Sequence, residues 1–416
     1  MVSVTPLNLT SLKELDLGSI KSLIAHNNWD AVVSEIRAAL ANNELSVVID
    51  YLNALKFVFT DSKFEEQPDL ALNHDLVELF KLLVSLISGK YSRKLVFYAL
   101  YCLTNIAFCT SMCADLCFFT PIIQVTIRYI LTETFDFLFV VDVETVKQAT
   151  WLLGNIIGDC QPLAILCESM GVWGAIHKIY LLDLQHYKIT GNDSLLALKY
   201  LWVLCNIVRY SSHHPIPSFV RLMFYELITR TSLSVEVLAH ILYSIGLFQE
   251  NPYCDFFVIK DENKIITDLV IERLEQLDME DSMGIGSRIE KYFVLFLGNL
   301  CYSDNSNYVL GSCSLRFFFS RLDSAATSSD PALVGCYLWV LTNLISLTGF
   351  SFFCEQECVL SFLKNNITSS TKAIRKETLN CLHSMLINVT IDDDDWGKSF
   401  IREVEQLVNL CYSVTT

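Results

Sequence analysis

Polar and apolar positions in this chain recur with a helical period along most of its length. Leu76 to Val84, Phe219 to Leu227 and Leu269 to Leu277 each keep an apolar stripe interrupted by charged residues, the mark of a helix with one buried face. Period-two alternation, which would indicate strands, is not sustained over any stretch. Punctuation falls at Gln67-Pro68, Pro215-Ile216-Pro217, Asn251-Pro252 and Ser328 to Pro331, so turns are predicted there. Glu272 to Ser287 becomes acidic and then Gly-bearing, and reads as a helix end followed by a loop. Between these segments lie more uniformly apolar helices in which one polar residue returns: Asn105, Asn155, Asn206, Asn299, Asn343 and Asn388, with Ser244 filling the one gap. Intervals of roughly forty to fifty-five residues suit a stack of two- or three-helix repeats.

An aromatic residue often precedes that Asn by four positions. The pairs are Tyr101 with Asn105, Trp151 with Asn155, Trp202 with Asn206 and Trp339 with Asn343. Positions i and i+4 share a helix face, so each pair sets a ring beside an amide. An amide both donates and accepts, and a row of them can pair with an extended peptide backbone whatever its sequence. Indole walls between the amides can hold the aliphatic stems of Lys or Arg, with cation–π attraction of about 0.5–2 kcal/mol each. The plainer alternative is a core indole, with the Asn satisfying a neighbouring helix, because a buried amide without a partner is costly.

The expected architecture is therefore all-α, a single solenoid over residues 1–416. It divides into an N-terminal segment (1–20), about eight repeats (21–390) and a C-terminal capping region (391–416), whose helix is Ser399 to Tyr412 after the turn Asp392 to Asp395. Hydrophobic residues at 52% against 18% charged allow nearly the whole chain to be buried. Leu95 to Ala114 and Pro331 to Cys354 carry no charge and are long enough to cross a bilayer. Both nevertheless contain the recurring Asn and align with charge-interrupted segments elsewhere, so they are expected to be central helices of the stack, and no membrane partner is expected.

A net charge of −16 disfavours nucleic acid as a partner and suits a positively charged one. Fifteen cysteines, mostly inside apolar helical runs such as those around Cys102, Cys205, Cys301, Cys336 and Cys381, fit reduced core thiols in the cytosol or nucleus. The N-terminus lacks the basic start and apolar core of a signal peptide. Cys109, Cys113 and Cys117 recur every four residues but have no Cys-x-x-Cys or His partner, and Cys354 with Cys358 is no better, so no metal is expected. Gly284-Ile285-Gly286-Ser287 lacks the setting and third Gly of a dinucleotide loop, and His213-His214 sits in a Pro-bounded loop. No nucleophile elbow, zinc-protease helix or phosphate loop is present; neither a cofactor nor enzyme activity is expected.

The phrases around the Trp–Asn pairs resemble armadillo repeats of the importin alpha family, the adaptors for nuclear localisation signals. Trp151-Leu-Leu-Gly-Asn155-Ile-Ile-Gly158-Asp159 is similar to that family's third repeat, and Trp202-Val-Leu-Cys-Asn206-Ile-Val-Arg209 to its fourth; Trp339 with Asn343 falls where the seventh would be. The resemblance covers roughly residues 45 to 390. It implies an armadillo-type right-handed superhelical solenoid of eight to nine repeats whose acidic concave groove binds Lys/Arg-rich segments of cargo proteins. The major site implied is Tyr101, Asn105, Trp151, Asn155, Gly158, Asp159, Trp202 and Asn206, with Asp159 receiving a lysine ammonium. A minor, less complete site is implied at Asn299, Trp339, Asn343 and Asn388. The chain would then be cytoplasmic and nuclear.

Several positions depart from the family pattern. Residues 1–60 contain only Lys13, Lys21, Arg37 and Lys56, so the basic arm that binds importin beta has no counterpart and carriage by importin beta is not expected. Tyr101, His240, Leu295 and Ser384 stand where Trp would, Ser244 where Asn would, and Ala114 where a Thr near the lysine pocket would. The alternative reading is an armadillo scaffold retuned for a different, fixed protein partner.

Overall fold

The computed structural model describes residues 28–59, 74–89, 91–109, 116–134, 141–158, 160–192, 196–210, 216–248, 258–259, 264–280, 285–302, 314–348, 357–388 and 395–415. Nearly all of them are helical. The chain divides into two compact units, Met1–Lys188 with Ser194–Tyr210, and Ile189–Asp193 with Ser211–Thr416.

In the first unit the helices are α1 (Trp29–Ala41), α2 (Leu45–Val58), α3 (His74–Ser88), α4 (Arg93–Cys109), α5 (Leu116–Glu133), α6 (Val143–Ile157), α7 (Gln161–Ser169), α8 (Val172–Thr190, its last residues counted with the second unit) and α9 (Leu196–Tyr210). Two layers result. α2, α4, α6 and α9 stack in succession as one layer, and α1, α3, α5 and α7 stack behind them as the other. Leu52, Leu100, Leu152 and Leu201 are fully buried, one from each helix of the first layer. Local signals set the helix starts. Asn28 accepts from the Ala31 N–H at 3.2 Å, and Asp142 accepts from both the N–H (3.3 Å) and the hydroxyl (2.6 Å) of Thr145. Gly171 takes φ +89° between α7 and α8, a left-handed conformation that glycine adopts without strain.

The second unit repeats the plan with α10 (Phe219–Ile228), α11 (Val235–Phe248), α12 (Ile266–Glu280), α13 (Ile285–Tyr302), α14 (Ser314–Ala326), α15 (Pro331–Thr348), α16 (Glu357–Ile367), α17 (Lys372–Ile387) and α18 (Asp395–Thr415). α11, α13, α15 and α17 form the first layer; α10, α12, α14, α16 and α18 form the second. Aromatic side chains knit this core: Phe293 meets Phe317 edge-on at 5.2 Å, and Phe318 stacks on Tyr337 at 5.0 Å. The Tyr337 hydroxyl donates to Glu290 at 2.5 Å, and burial raises that carboxyl's pKa.

Three details differ from the sequence expectation. Val258–Ile259 pairs antiparallel with Lys264–Ile265, two strands too short for alternation to register. The loop expected to run through Ser287 ends earlier, because α13 begins at Ile285, continuing backwards the apolar period of Ile289 and Phe293. The capping helix is longer than expected, Asp395–Thr415, with Phe400, Val404, Leu407 and Cys411 on its buried side. Among the described residues α15 is the one helix long and apolar enough to cross a membrane. Leu333, Val334, Tyr337, Leu338, Val340, Leu341, Leu344 and Ile345 bury it against its neighbours.

Candidate peptide-binding face

The recurring Asn residues lie at one phase of successive first-layer helices, and the structure gives most of them the same task. In the first unit the Asn105 side-chain amide donates to Lys56 O at 2.7 Å, Asn155 to Thr104 O at 3.2 Å, and Asn206 to Gly154 O at 3.0 Å. In the second unit Asn343 donates to Gly298 O at 3.2 Å. Each bond reaches back to the preceding repeat. The acceptor in three of the four cases is the residue just before that repeat's own Asn. Such a carbonyl can take a second hydrogen bond beyond the intrahelical one, so the amide clips one repeat to the next. A net 1 kcal/mol or so per bond is typical. Asn206 and Asn343 are buried, with 0% and 4% of their surface exposed, whereas Asn105 and Asn155 are half-buried and keep an edge toward solvent. Asn388 closes the end of α17 instead, donating to Ser384 O of its own helix. Asn299, half-buried, and its neighbour Leu295 occupy the corresponding place on α13.

The indoles also rest on the preceding repeat. A Cβ on Gly154 would lie 2.2 Å from Trp202 Cδ1, and a Cβ on Gly298 would lie 2.1 Å from Trp339 Cζ3. Both separations are far inside van der Waals contact. These glycines therefore admit the next repeat's ring directly against the helix backbone, and the Asn one turn on bonds the same glycine's carbonyl. Ring and amide together clasp one residue. Trp151 has no such seat. The residue in its preceding repeat is Thr104, whose hydroxyl donates to Leu100 O and accepts from Gln148 Nε2, both within buried structure.

Trp151 faces a cation of the protein itself. Lys199 Nζ, one turn ahead of Trp202 on α9, stands 3.6 Å from the centre of the Trp151 ring. Burial lowers the Lys199 pKa to about 8, with repulsion from Lys147 adding to the effect. Tyr101 has a similar neighbour: Lys56 Nζ lies 5.1 Å from its ring, 5.1 Å from Tyr98 and 4.8 Å from Phe57, and burial lowers its pKa as well. Lys147, which shares a face with Trp151, pairs with Glu144. Gly158 has an internal role too: its carbonyl accepts from Tyr210 Oη at 3.2 Å and from Arg209 at 3.5 Å, tying the end of α6 to α9.

Tyr101, Asn105, Trp151, Asn155, Gly158, Trp202 and Asn206 are thus brought together on one face of the first unit. Trp339 and Asn343 form a second pair on adjoining helices with Asn299. Asp159 lies outside the described residues, as do Ala114 and the side chains of Cys109, Cys113 and Cys117. No cluster of potential metal ligands occurs among the described residues. Sequence reasoning missed Gly154, Gly298, Lys56, Lys147 and Lys199. The glycines had a readable signal, being the residue directly before Asn in two of the phrases. Lys147 and Lys199 had a weaker one, standing four and three residues before a Trp of their own helix, although the ring Lys199 covers belongs to another repeat; Lys56 precedes no Trp and had none.

No protein-family model matches the sequence, and neither does any curated protein. Solved structures do. SYS-1 superposes with a TM-score of 0.57 at 11% identity, over 92% of this chain and 65% of its own, so this chain spans just under two thirds of SYS-1. A chain from a structure of the cadherin and beta-catenin interaction superposes with a TM-score of 0.61 at 14% identity, over 90% of this chain and 70% of that one. An engineered protein gives 0.57 at 16% identity, with 94% and 91% covered. SYS-1 is also similar when in complex with POP-1, at a TM-score of 0.56 and 11% identity. Identities this low establish the fold alone: an all-α solenoid of armadillo type.

Proposed function

We propose that this protein is an armadillo-type scaffold that holds an extended segment of a partner protein along the first-layer face of its first unit. The observation that carries the proposal is the half-buried row of Tyr101, Asn105, Trp151, Asn155 and Trp202, rings and amide edges at one phase on successive helices. Such a row offers flat apolar walls and backbone-compatible polar edges at repeat spacing. Similar solved structures are of proteins in complexes, SYS-1 with POP-1 and beta-catenin with cadherin, which agrees with a binding role.

Between the two forms this role can take, a fixed partner is favoured over nuclear-import cargo. Import-type recognition needs empty spaces between indoles for incoming lysine stems. Here Lys199 already covers Trp151 and Lys56 already lies by Tyr101. The import reading keeps one support, the match of Trp151 to Gly158 and of Trp202 to Arg209 with that family's phrases, and it would place the chain in cytoplasm and nucleus. Non-enzymatic function belongs to both readings.

The test is selection of peptides from a random display library against the full chain. Selected peptides are expected to compete for one site and to lose binding in Trp151→Ala and Trp202→Ala, by about 1–3 kcal/mol each. Failure to select any peptide, or binding indifferent to both substitutions, refutes the proposal.

A further inference from the structure

The chain is acidic, but the helices that present this face are not. Within their bounds α2, α4, α6 and α9 carry Lys56, Arg93, Lys94, Lys147, Lys199 and Arg209 against Asp50 and Glu144, with Glu44, Asp142 and Asp159 just beyond their ends. The −16 of the whole chain is therefore carried by other segments. Arg93 pairs with Glu133 of the second layer, and Lys147 with Glu144. Among the described residues, Lys56 and Lys199 have no carboxylate partner; each rests on aromatic rings that screen it from water. Lys147 and Lys199 are close enough to repel, and that repulsion helps to depress Lys199. Among the described residues Glu144 offsets it at Lys147, and no carboxylate offsets it at Lys199. An incoming carboxylate would, gaining attraction to two cations in a site already partly stripped of water.

From this charge distribution we infer that the face takes an acidic segment, an extended partner peptide whose Asp or Glu side chains pair with Lys199, Lys147 and Lys56 where these stand over Trp151 and beside Tyr101. This rests on the scaffold reading above and specifies its partner. The sign is opposite to that expected from net charge. Four helices about 9–10 Å apart make a face of about 30 Å, which an extended peptide of about nine residues spans.

The test uses two fluorescein-labelled 12-residue probes with the same leucines, one with Glu at alternate positions and one with Lys. Both are titrated by polarisation against the full chain at about 0.15 M salt, where long-range attraction is largely screened. The Glu probe is expected to bind at least about tenfold more tightly than the Lys probe. Lys199→Met, which keeps an aliphatic stem over Trp151, and Lys147→Gln should each weaken the Glu probe severalfold, while Lys199→Arg retains binding and all three keep wild-type helicity. Preference for the Lys probe overturns the inference and leaves the scaffold reading standing. Glu binding unaffected by Lys199→Met and Lys147→Gln overturns the assignment to this face. If neither probe binds, the inference fails, and the library selection decides the scaffold reading separately.

Discussion

Gly298 separates the clasp described above from ordinary helix packing. An alanine there places its Cβ 2.1 Å from Trp339 Cζ3, so the indole must retreat by more than 1 Å or swing outward. Overpacking of this kind costs about 1–3 kcal/mol, and a displaced ring also pulls Asn343 from Gly298 O. Against that, glycine to alanine inside a helix returns about 1 kcal/mol of propensity. Gly335 is the control. It lies inside α15 of the same unit, and a Cβ there would meet only Ile374 Cδ1 at 3.8 Å, an ordinary contact. Gly335→Ala should therefore stabilise by up to about 1 kcal/mol, whereas Gly298→Ala should be neutral or destabilising by up to about 2 kcal/mol. Urea midpoints of the two variants, with the slope checked for change, measure the difference. Equal stabilisation by both would mean that Trp339 does not rest on Gly298, and the ring-and-amide clasp would be refuted.

Other expectations follow from single sites. Asn206→Ala leaves Gly154 O without its second bond and opens a small void in a fully buried place, so it should cost about 1–3 kcal/mol in the same urea experiment, more than Asn155→Ala at its half-buried site. Lys199 should titrate near pH 8, read by carbon NMR after reductive methylation with labelled formaldehyde, and Lys147→Gln should raise it; titration at the ordinary lysine value contradicts the site's electrostatics. Burial pushes the thiols of Cys167, Cys301 and Cys381 up to about 12. Unfolded thiols ionise near 8.5, so the stability these residues contribute is complete below about pH 8.5 and is lost as pH rises toward 12. Denaturation across pH 8 to 11 should show that fall, and a Cys301→Ala, Cys381→Ala chain should show less of it.

The all-α repeat plan was legible because each repeat must bury an apolar helix against the next, which forces the same phase of Asn and aromatic residues to return. The caps at Asn28 and Asp142, which start α1 and α6, were not read from the sequence, because Asn and Asp serve turns as readily as helix starts. Less legible was what the polar residues touch. Asn155 and Asn206 can face a ligand or a neighbouring carbonyl with the same chemistry, and only the register between repeats puts Thr104 O and Gly154 O within reach. Lys199 shows the same limit more sharply. On its own helix it precedes Trp202, yet the ring it covers is Trp151, 48 residues earlier in the sequence and adjacent only once α6 and α9 stack. Net charge says little about this face for a related reason, since it sums over both layers and every connection, whereas a bound peptide would meet only the side chains of one face.

The central claim is that a partner segment lies across Trp151 and Trp202. Labelling the chain with 5-fluorotryptophan, assigning resonances by single Trp→Phe variants and titrating a library-selected peptide tests it directly. The fluorine signals of Trp151 and Trp202 are expected to shift saturably, while that of Trp29, fully buried in α1 beneath Phe59, stays in place. Saturable binding that leaves Trp151 and Trp202 unmoved would put the partner elsewhere on the protein and contradict the account.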